Sequence, residues 1–260
     1  MNAVWWGLRR SHDEAALNVA KANIAVHSIS HVGQRDENED RLAVLGSNDE
    51  GLRLFVVADG LGGHVGGALA AQTVVDTAAQ MSSPRSADPE EFMRGLVLAS
   101  HAAVRRSAKE QALDARSTLA ALLVSGSEAT SVHVGDSRVM QYSATAFVGR
   151  TSDHSVAQLL VSGGELPEKE MAGHPAQAQL LSSVGGPRAP TLEVTGWDLA
   201  AGKRFVVCSD GFWSIFSHAE VLGLYGTDDP ECAMRERLES KLQHLQDLDN
   251  CTAILVEIDR

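Results

Sequence analysis

Cysteine is scarce: three in 260 residues, at positions 208, 232 and 251, and no Cys-x-x-Cys spacing. That excludes a disulfide framework and favours reduced thiols in a cytoplasmic setting. Positive charge is short as well, with 22 Lys and Arg against 34 Asp and Glu, a formal net charge of -12. A chain with no basic patch releases few counterions, so neither a nucleic acid nor an anionic membrane is expected as a partner. No apolar run is long enough to span a bilayer. The opening Met1-Asn-Ala-Val-Trp-Trp-Gly-Leu-Arg-Arg10 places its charges after a short apolar run, the reverse of a signal peptide. Residues 1–22 therefore read as an N-terminal extension with Trp5 and Trp6 packed on the body, and 23–260 as the folded domain. Repeats and low-complexity tracts are missing. So is the regular strand–helix alternation that a doubly wound parallel sheet requires.

What the chain does have is acids at the ends of apolar strands. Asp40 opens the run Arg41–Leu45 and Asp59 closes the run Leu52–Ala58. If these runs pair as a hairpin through the polar turn 46–51, both carboxylates lie at one end of a sheet. Arg204–Ser209 runs into Asp210, and Asp249-Asn250 precedes the apolar run Cys251–Val256, so the same placement recurs. Any one of these acids alone is an ordinary turn residue. Four converging carboxylates, however, raise one another's pKa unless something neutralises them. Hard divalent cations bound through oxygen are the usual neutraliser. The expectation is a carboxylate-built metal site.

The remaining pattern surrounds that site. Residues 23–30 alternate as a first strand, an alanine-rich helix runs from Gly66 to Met81, and a linker leads to a second helix bearing Phe92, Leu96, Ala99 and Ala103 on one face. Strands are expected over 117–125, 130–135, 138–142 and 146–149, then a helix over 156–161 started by Thr151-Ser-Asp153. The segment 163–190 begins as an irregular surface flap over 165–178. Strand character resumes over 180–184, 191–197 and 203–209, before a helix carrying Met234, Leu238, Leu242 and Leu245. Long helices set between strand runs suit two stacked sheets with helices on the outer faces.

These residues resemble the metal-dependent protein Ser/Thr phosphatases of the PPM, or type 2C, family, in its compact bacterial form. The resemblance rests on Gly33-x-Arg35 with Asn38-Glu39-Asp40, Asp59-Gly60-Leu-Gly-Gly-His64 with Gly66-Gly67, Ser117-Thr118, Gly135-Asp136-Ser137-Arg138, Thr151-x-Asp153-His154-Ser155, Ser209-Asp210-Gly211 and Asp249-Asn250, in that order over roughly residues 23–258. It implies an α+β fold, a four-layer α-β-β-α sandwich of two antiparallel sheets flanked by helices. It also implies two Mn2+ or Mg2+ ions and direct hydrolysis of phosphoserine and phosphothreonine by a metal-bridging hydroxide. By the same resemblance Asp59 bridges both ions, the Gly60 carbonyl is a ligand, Asp210 and Asp249 complete one ion, and Asp40 and Glu39 hold metal-bound water. Asn250 supports the ligands from behind, Arg35 binds the phosphate, and Asp136 can hold a weak third ion. The absence of a Cys-x5-Arg signature fits direct hydrolysis. The chain departs from the pattern at Ser214, where many members carry a carboxylate for the third ion, and at Leu61, where some carry a histidine. Phosphorylated proteins are the implied partners, including a Ser/Thr kinase or its substrate, and the protein is expected to act as a monomer.

Other polar residues have plainer readings. His64 suits a structural turn and His154 a hydrogen bond at a helix cap. His27 and His31 share a strand face but do not make a metal site by themselves. Ser137 and Ser209 have no partner base and read as hydrogen-bonding structure. Two rivals remain: an inactive phosphoprotein-binding pseudophosphatase, which would bind no Mn2+, and a two-metal phosphodiesterase, whose polyanionic substrate ill suits a charge of -12.

Overall fold

The computed structural model describes residues 23–47, 52–63, 65–81 and 88–259. The expected extension with Trp5 and Trp6, and His64, lie outside them. In chain order the strands are β1 (Asn23–His31), β2 (Arg41–Ser47), β3 (Leu52–Ala58), β4 (Gly60–Leu61), β5 (Arg116–Ser117), β6 (Leu119–Ser125), β7 (Glu128–Val134), β8 (Arg138–Tyr142), β9 (Phe147–Arg150), β10 (Glu193–Trp197), β11 (Arg204–Cys208) and β12 (Cys251–Asp259). The helices are α1 (Val65–Met81), α2 (Pro89–Gln111), α3 (Val156–Ser162), the single turn α4 (Asp210–Trp213), α5 (His218–Leu224) and α6 (Pro230–His244). One antiparallel sheet has the order β1-β12-β11-β8-β9 and the other β10-β7-β6-β3-β2, with β4 and β5 forming a separate ribbon.

Side chains alternate along each strand, so a strand buried on both faces serves two cores. In β3, Phe55 and Val57 point between the sheets and meet Phe205, Val207, Ile254 and Val256 of the facing sheet. Leu54 and Val56 point the other way, into a layer built with Ala71 and Val74 of α1 and Met93 and Leu96 of α2. The outer face of the second sheet, with Val206 and Leu255, is covered by Phe212, Val221, Met234 and Leu238 from α4, α5 and α6. The four-layer sandwich follows from that double burial. Each fully buried Leu, Val, Ile or Phe is worth about 1.5–3 kcal/mol against exposure.

Three local expectations are corrected. The expected strand over 117–125 breaks at Thr118, because the backbone N–H groups there leave the sheet: Ser117 donates to the Val184 carbonyl at 3.0 Å and Thr118 to the Asp59 carbonyl at 2.8 Å. Residues 180–184 form no strand and make only single bridges, Ser155 with Leu180 and Ser117 with Val184. The flap is not all surface: Leu166, Met171 and Ala176 close a small core under α3 with Ala157. Its backbone runs through 3-10 turns at Glu168–Glu170 and Pro175–Ala178, whose period of three hides the apolar pattern.

Candidate metal centre

Each sheet contributes one pair of acids at the same end. In the first hairpin Arg41 lies opposite Ala58, so Asp40 and Asp59 flank the last strand pair. In the other sheet Cys208 lies opposite Ala253 and the Ser209 N–H donates to the Thr252 carbonyl at 3.0 Å, which brings Asp210 up beside the 249–250 segment. The sequence expectation assigns both pairs to sheet ends, and the structure shows two different sheets meeting. The seam is stitched by Ser209, whose Oγ donates to Asp40 Oδ2 at 2.7 Å and accepts the Thr252 N–H at 3.1 Å.

Arg35, Glu39, Asp59, Gly60, Asp210 and Asp249 line a cleft of about 490 Å³. Asp136 and Asn250 also reach it, whereas Asp40 is buried behind it. Arg35 stands at the rim, half exposed, its Nη2 donating to Asp249 Oδ2 at 2.8 Å. The loop that carries it turns at Gly33, φ +66°, where a Cβ would collide with the Asp249 carbonyl. His31 Nδ1 accepts the Gly33 N–H at 2.9 Å, so that histidine serves the turn. Asn250 laces the same loop: its Nδ2 donates to the carbonyls of Val32 at 2.8 Å and Glu37 at 3.0 Å, and its Oδ1 accepts the Glu39 N–H at 2.7 Å. Asp59 is held through its backbone: its N–H donates to Thr118 Oγ1 at 2.9 Å, and Ser117 Oγ donates to its carbonyl at 3.0 Å. Ser137 shares a 2.7 Å hydrogen bond with Thr118.

The electrostatics of this cluster are unbalanced. Burial first, then Asp210 and Asp249, pushes Asp40 up to about 7 against hydrogen bonds from Ser209 and Thr252 that lower it. Burial and then Asp249 raise Asp210 to about 6. Asp59 and Asp136 are driven well above the ordinary carboxylate range, by burial and then by neighbouring aspartates. Asp210 is among the like charges that raise Asp59, after burial and Asp40. A set of buried oxygens that retains protons at neutral pH is the environment that divalent cations relieve. An all-oxygen donor set fits Mg2+ or Mn2+.

Asp136 sits at the edge of the group, its Oδ2 accepting from Gln177 Nε2 at 2.9 Å and its carbonyl from Trp213 Nε1 at 2.9 Å. Ser214 turns into a neighbouring cleft with Arg138 and Trp213 and adds no carboxylate here. A supporting network went unforeseen. Arg138 holds Asp153 through two bonds of 2.7 and 2.8 Å and lies 3.4 Å over the Trp213 ring, while Gln177 links Asp136 to Asp153. The opposite charges in the motifs at 135–138 and 151–155 were the available signal. The expected cap role moves by one residue: Ser155 caps α3, and His154 instead stacks on His133 with ring centroids 4.5 Å apart.

The family model described as protein phosphatase 2C matches residues 29–247. A relative described as a putative protein phosphatase 2C-type from Streptococcus pyogenes is 28% identical over 226 residues, covering 84% of this chain and 88% of that protein. The structure of the Ser/Thr phosphatase Stp1 from Staphylococcus aureus superposes with a TM-score of 0.81 at 23% identity, over 92% of this chain and 96% of that one. The catalytic domain of the Ser/Thr protein phosphatase PstP, solved in complex with two manganese ions, gives a TM-score of 0.75 at 25% identity, over 91% of this chain and 99% of that one.

Proposed function

This chain belongs to the protein phosphatase 2C family, and from that premise we propose that its carboxylate cleft hydrolyses phosphoserine and phosphothreonine in proteins with two Mn2+ or Mg2+ ions. The protein is a metal-dependent protein serine/threonine phosphatase. The observation that carries this reading is the meeting of four aspartates from two sheets beside one rim arginine.

Asp59 would serve both ions, the Gly60 carbonyl would supply one ligand, Asp210 and Asp249 would complete one ion, and Asp40 and Glu39 would hold water ligands. When bound, the ions activate water near neutral pH and neutralise charge on the phosphoryl group. The chain supplies the rest. The Arg35 guanidinium offers paired donors to phosphoryl oxygens and stays charged at any working pH. Its bond to Asp249 aims it across the cleft mouth. Among the described residues lining the cleft there is no histidine, and Leu61 stands there instead. With leucine rather than histidine at position 61, solvent would protonate the leaving alkoxide. A third ion at Asp136 would be weak, because Ser214 provides no carboxylate.

We further place the protein in the cytoplasm, as a monomer opposing a Ser/Thr kinase. Residues 23–260 form its phosphatase domain, with 163–190 as the flap beside the cleft. Free thiols at Cys208, Cys232 and Cys251 support the compartment. No helix among the described residues is long and apolar enough to cross a membrane. The intact acids and Arg35 speak against an inactive pseudophosphatase, and the net charge of -12 against a polyanionic diester substrate.

The test is hydrolysis of a phosphothreonine peptide with Mn2+. Asp59→Asn should lose more activity than the roughly 10–100-fold that removing an outer metal partner costs. Chelator should abolish turnover in the wild type. Activity that survives either treatment would overturn the assignment.

A further inference from the structure

A second group of ligating side chains lies outside the cleft. His133, His154 and Glu193 each offer a ligand atom, and the three atoms lie within 4.8 Å of one another. None of them lines the carboxylate cleft. They come from three segments: His133 from the end of β7, Glu193 from the start of β10, and His154 from the link between β9 and α3. The β7–β10 register places Glu193 directly opposite His133, so their side chains share one sheet face.

The decisive atom is His133 Nδ1. His133 is fully buried, and its Nε2 lies 2.6 Å from the Ser152 carbonyl oxygen. A carbonyl can only accept, so Nε2 carries the proton and Nδ1 is left as a lone pair. That Nδ1 has no hydrogen-bond partner and no contact with solvent. A buried acceptor left unmatched is costly, and a native fold seldom keeps one without a reason. A histidine that donates one ring N–H to a backbone carbonyl and presents the other nitrogen bare is the arrangement that metal-ligating histidines adopt. The half-buried His154 ring stacks on His133 and has a single long hydrogen bond, from the Gly135 N–H to Nδ1 at 3.3 Å, so a small rotation costs it little. Burial holds both imidazoles below the ordinary histidine range, the state in which a ring nitrogen can ligate.

We propose that His133, His154 and Glu193 form a zinc site separate from the phosphatase centre. Two imidazole nitrogens and one carboxylate oxygen are a zinc ligand set, leaving a fourth position to solvent. Tetrahedral ligands around zinc stand about 3.3 Å apart given bonds of about 2.0–2.1 Å, so the cluster must tighten by up to about 1.5 Å. The exposed Glu193 side chain and the His154 ring can supply that movement while His133 stays fixed. Arg150, a cation that acts on His133, is occupied by Asp153 and Glu168. An ion here would pin β7 and β10 to the segment that carries Asp153, and Asp153 is tied through Gln177 to Asp136. The site is therefore a clamp on the loop after β7.

The test uses Co2+ as a spectroscopic stand-in for zinc, titrated into the Mn2+-saturated full chain. Four-coordinate Co2+ with nitrogen ligands absorbs intensely in the visible, whereas six-coordinate oxygen-bound Co2+ barely does. Intense bands are expected in the wild type and in Asp59→Asn, to be bleached by added Zn2+. Glu193→Gln should weaken the binding by roughly tenfold or more, by analogy with other metal-site losses. His154→Gln should remove the bands while far-UV circular dichroism stays unchanged. Because Glu193 is exposed, that variant keeps the test open even where a histidine variant folds poorly. No intense bands at saturating Co2+, unchanged binding in Glu193→Gln, or bands that vanish in Asp59→Asn would each overturn the proposal. The last result would assign the signal to the phosphatase centre.

Discussion

Arg35 occupies a position where function and stability separate. Its ion pair with Asp249 is half exposed on both sides, and pairs of that kind contribute about 0–1 kcal/mol to folding. Against a dianionic phosphoryl group the same guanidinium makes charge-assisted bonds worth about 1.5–3 kcal/mol. Arg35→Ala should therefore lower kcat/KM for a phosphothreonine peptide roughly 10- to 100-fold, read by initial rates, while thermal melting moves by less than about 3 °C. A large melting shift with unchanged kinetics would instead make Arg35 a structural residue. Residues of this kind were legible in the sequence because their chemistry is tied to position: Asp40, Asp59, Asp210 and Asp249 all sit at strand ends. Gln177 was not. It lies in the 3-10 turn at Pro175–Ala178, 41 positions from the Asp136 it touches, with no periodicity to point to that contact. Ser209 was read as hydrogen-bonding structure, but that its partner is a carboxylate of the other sheet is visible only in three dimensions.

Whole elements were legible where alanine is dense, as in α1, or where apolar residues recur at helical spacing, as in α2 and α6. The hairpin of β2 and β3 keeps the register expected of it, with Arg41 opposite Ala58. α5 has no counterpart among the sequence expectations, although Ser217-x-x-Glu220 spells a capping box. The box forms: Glu220 accepts the Ser217 N–H at 2.8 Å, and Ser217 Oγ accepts the Glu220 N–H at 3.3 Å. Lys241 adds a 2.8 Å ion pair that ties α5 to α6. Burial alone would raise the Glu220 carboxyl, but the bonds from Lys241 and Ser217 outweigh it and hold it down to about 2. A depressed carboxylate gives stability that is fully present above the unfolded-state value, near 4.5, and is lost as pH falls toward about 2. Glu220→Gln should cost about 1 kcal/mol at pH 7, a cap-sized loss, discounted from the full shift because the Glu220 side chain is 35% exposed and so partly screened by solvent. Denaturant melts of wild type and variant should converge as pH drops below about 3. A gap that persists there would mean that packing, not charge, accounts for the loss.

At the scale of the whole molecule, two sheets with a continuous apolar core between them meet at one end in four acids, and the net charge of -12 adds to the strain. The strand pattern made the sandwich legible, but it could not say that Asp40 and Asp59 come from one sheet and Asp210 and Asp249 from the other. That depends on how the layers stack, which Phe55, Val57, Phe205 and Ile254 settle through contacts far apart in sequence. Divalent ions held by these acids would staple the two sheets as well as catalyse. Without metal, Asp40 at about 7 and Asp210 at about 6 retain protons that the unfolded chain, near 3.8, has already released. A folded state that binds more protons loses stability as pH rises, so the metal-free protein should weaken steadily from about pH 4 to about pH 7. Mn2+ held there would take the place of those protons, so its stabilising effect should grow over the same interval. A ligand at 100 times its dissociation constant adds about 2.7 kcal/mol, or roughly 5–10 °C for a domain of this size. Melting curves with Mn2+ and with chelator should therefore differ by about that much at pH 8 and by clearly less at pH 5. Equal shifts at both values would show that the acids are not the residues the ions hold together.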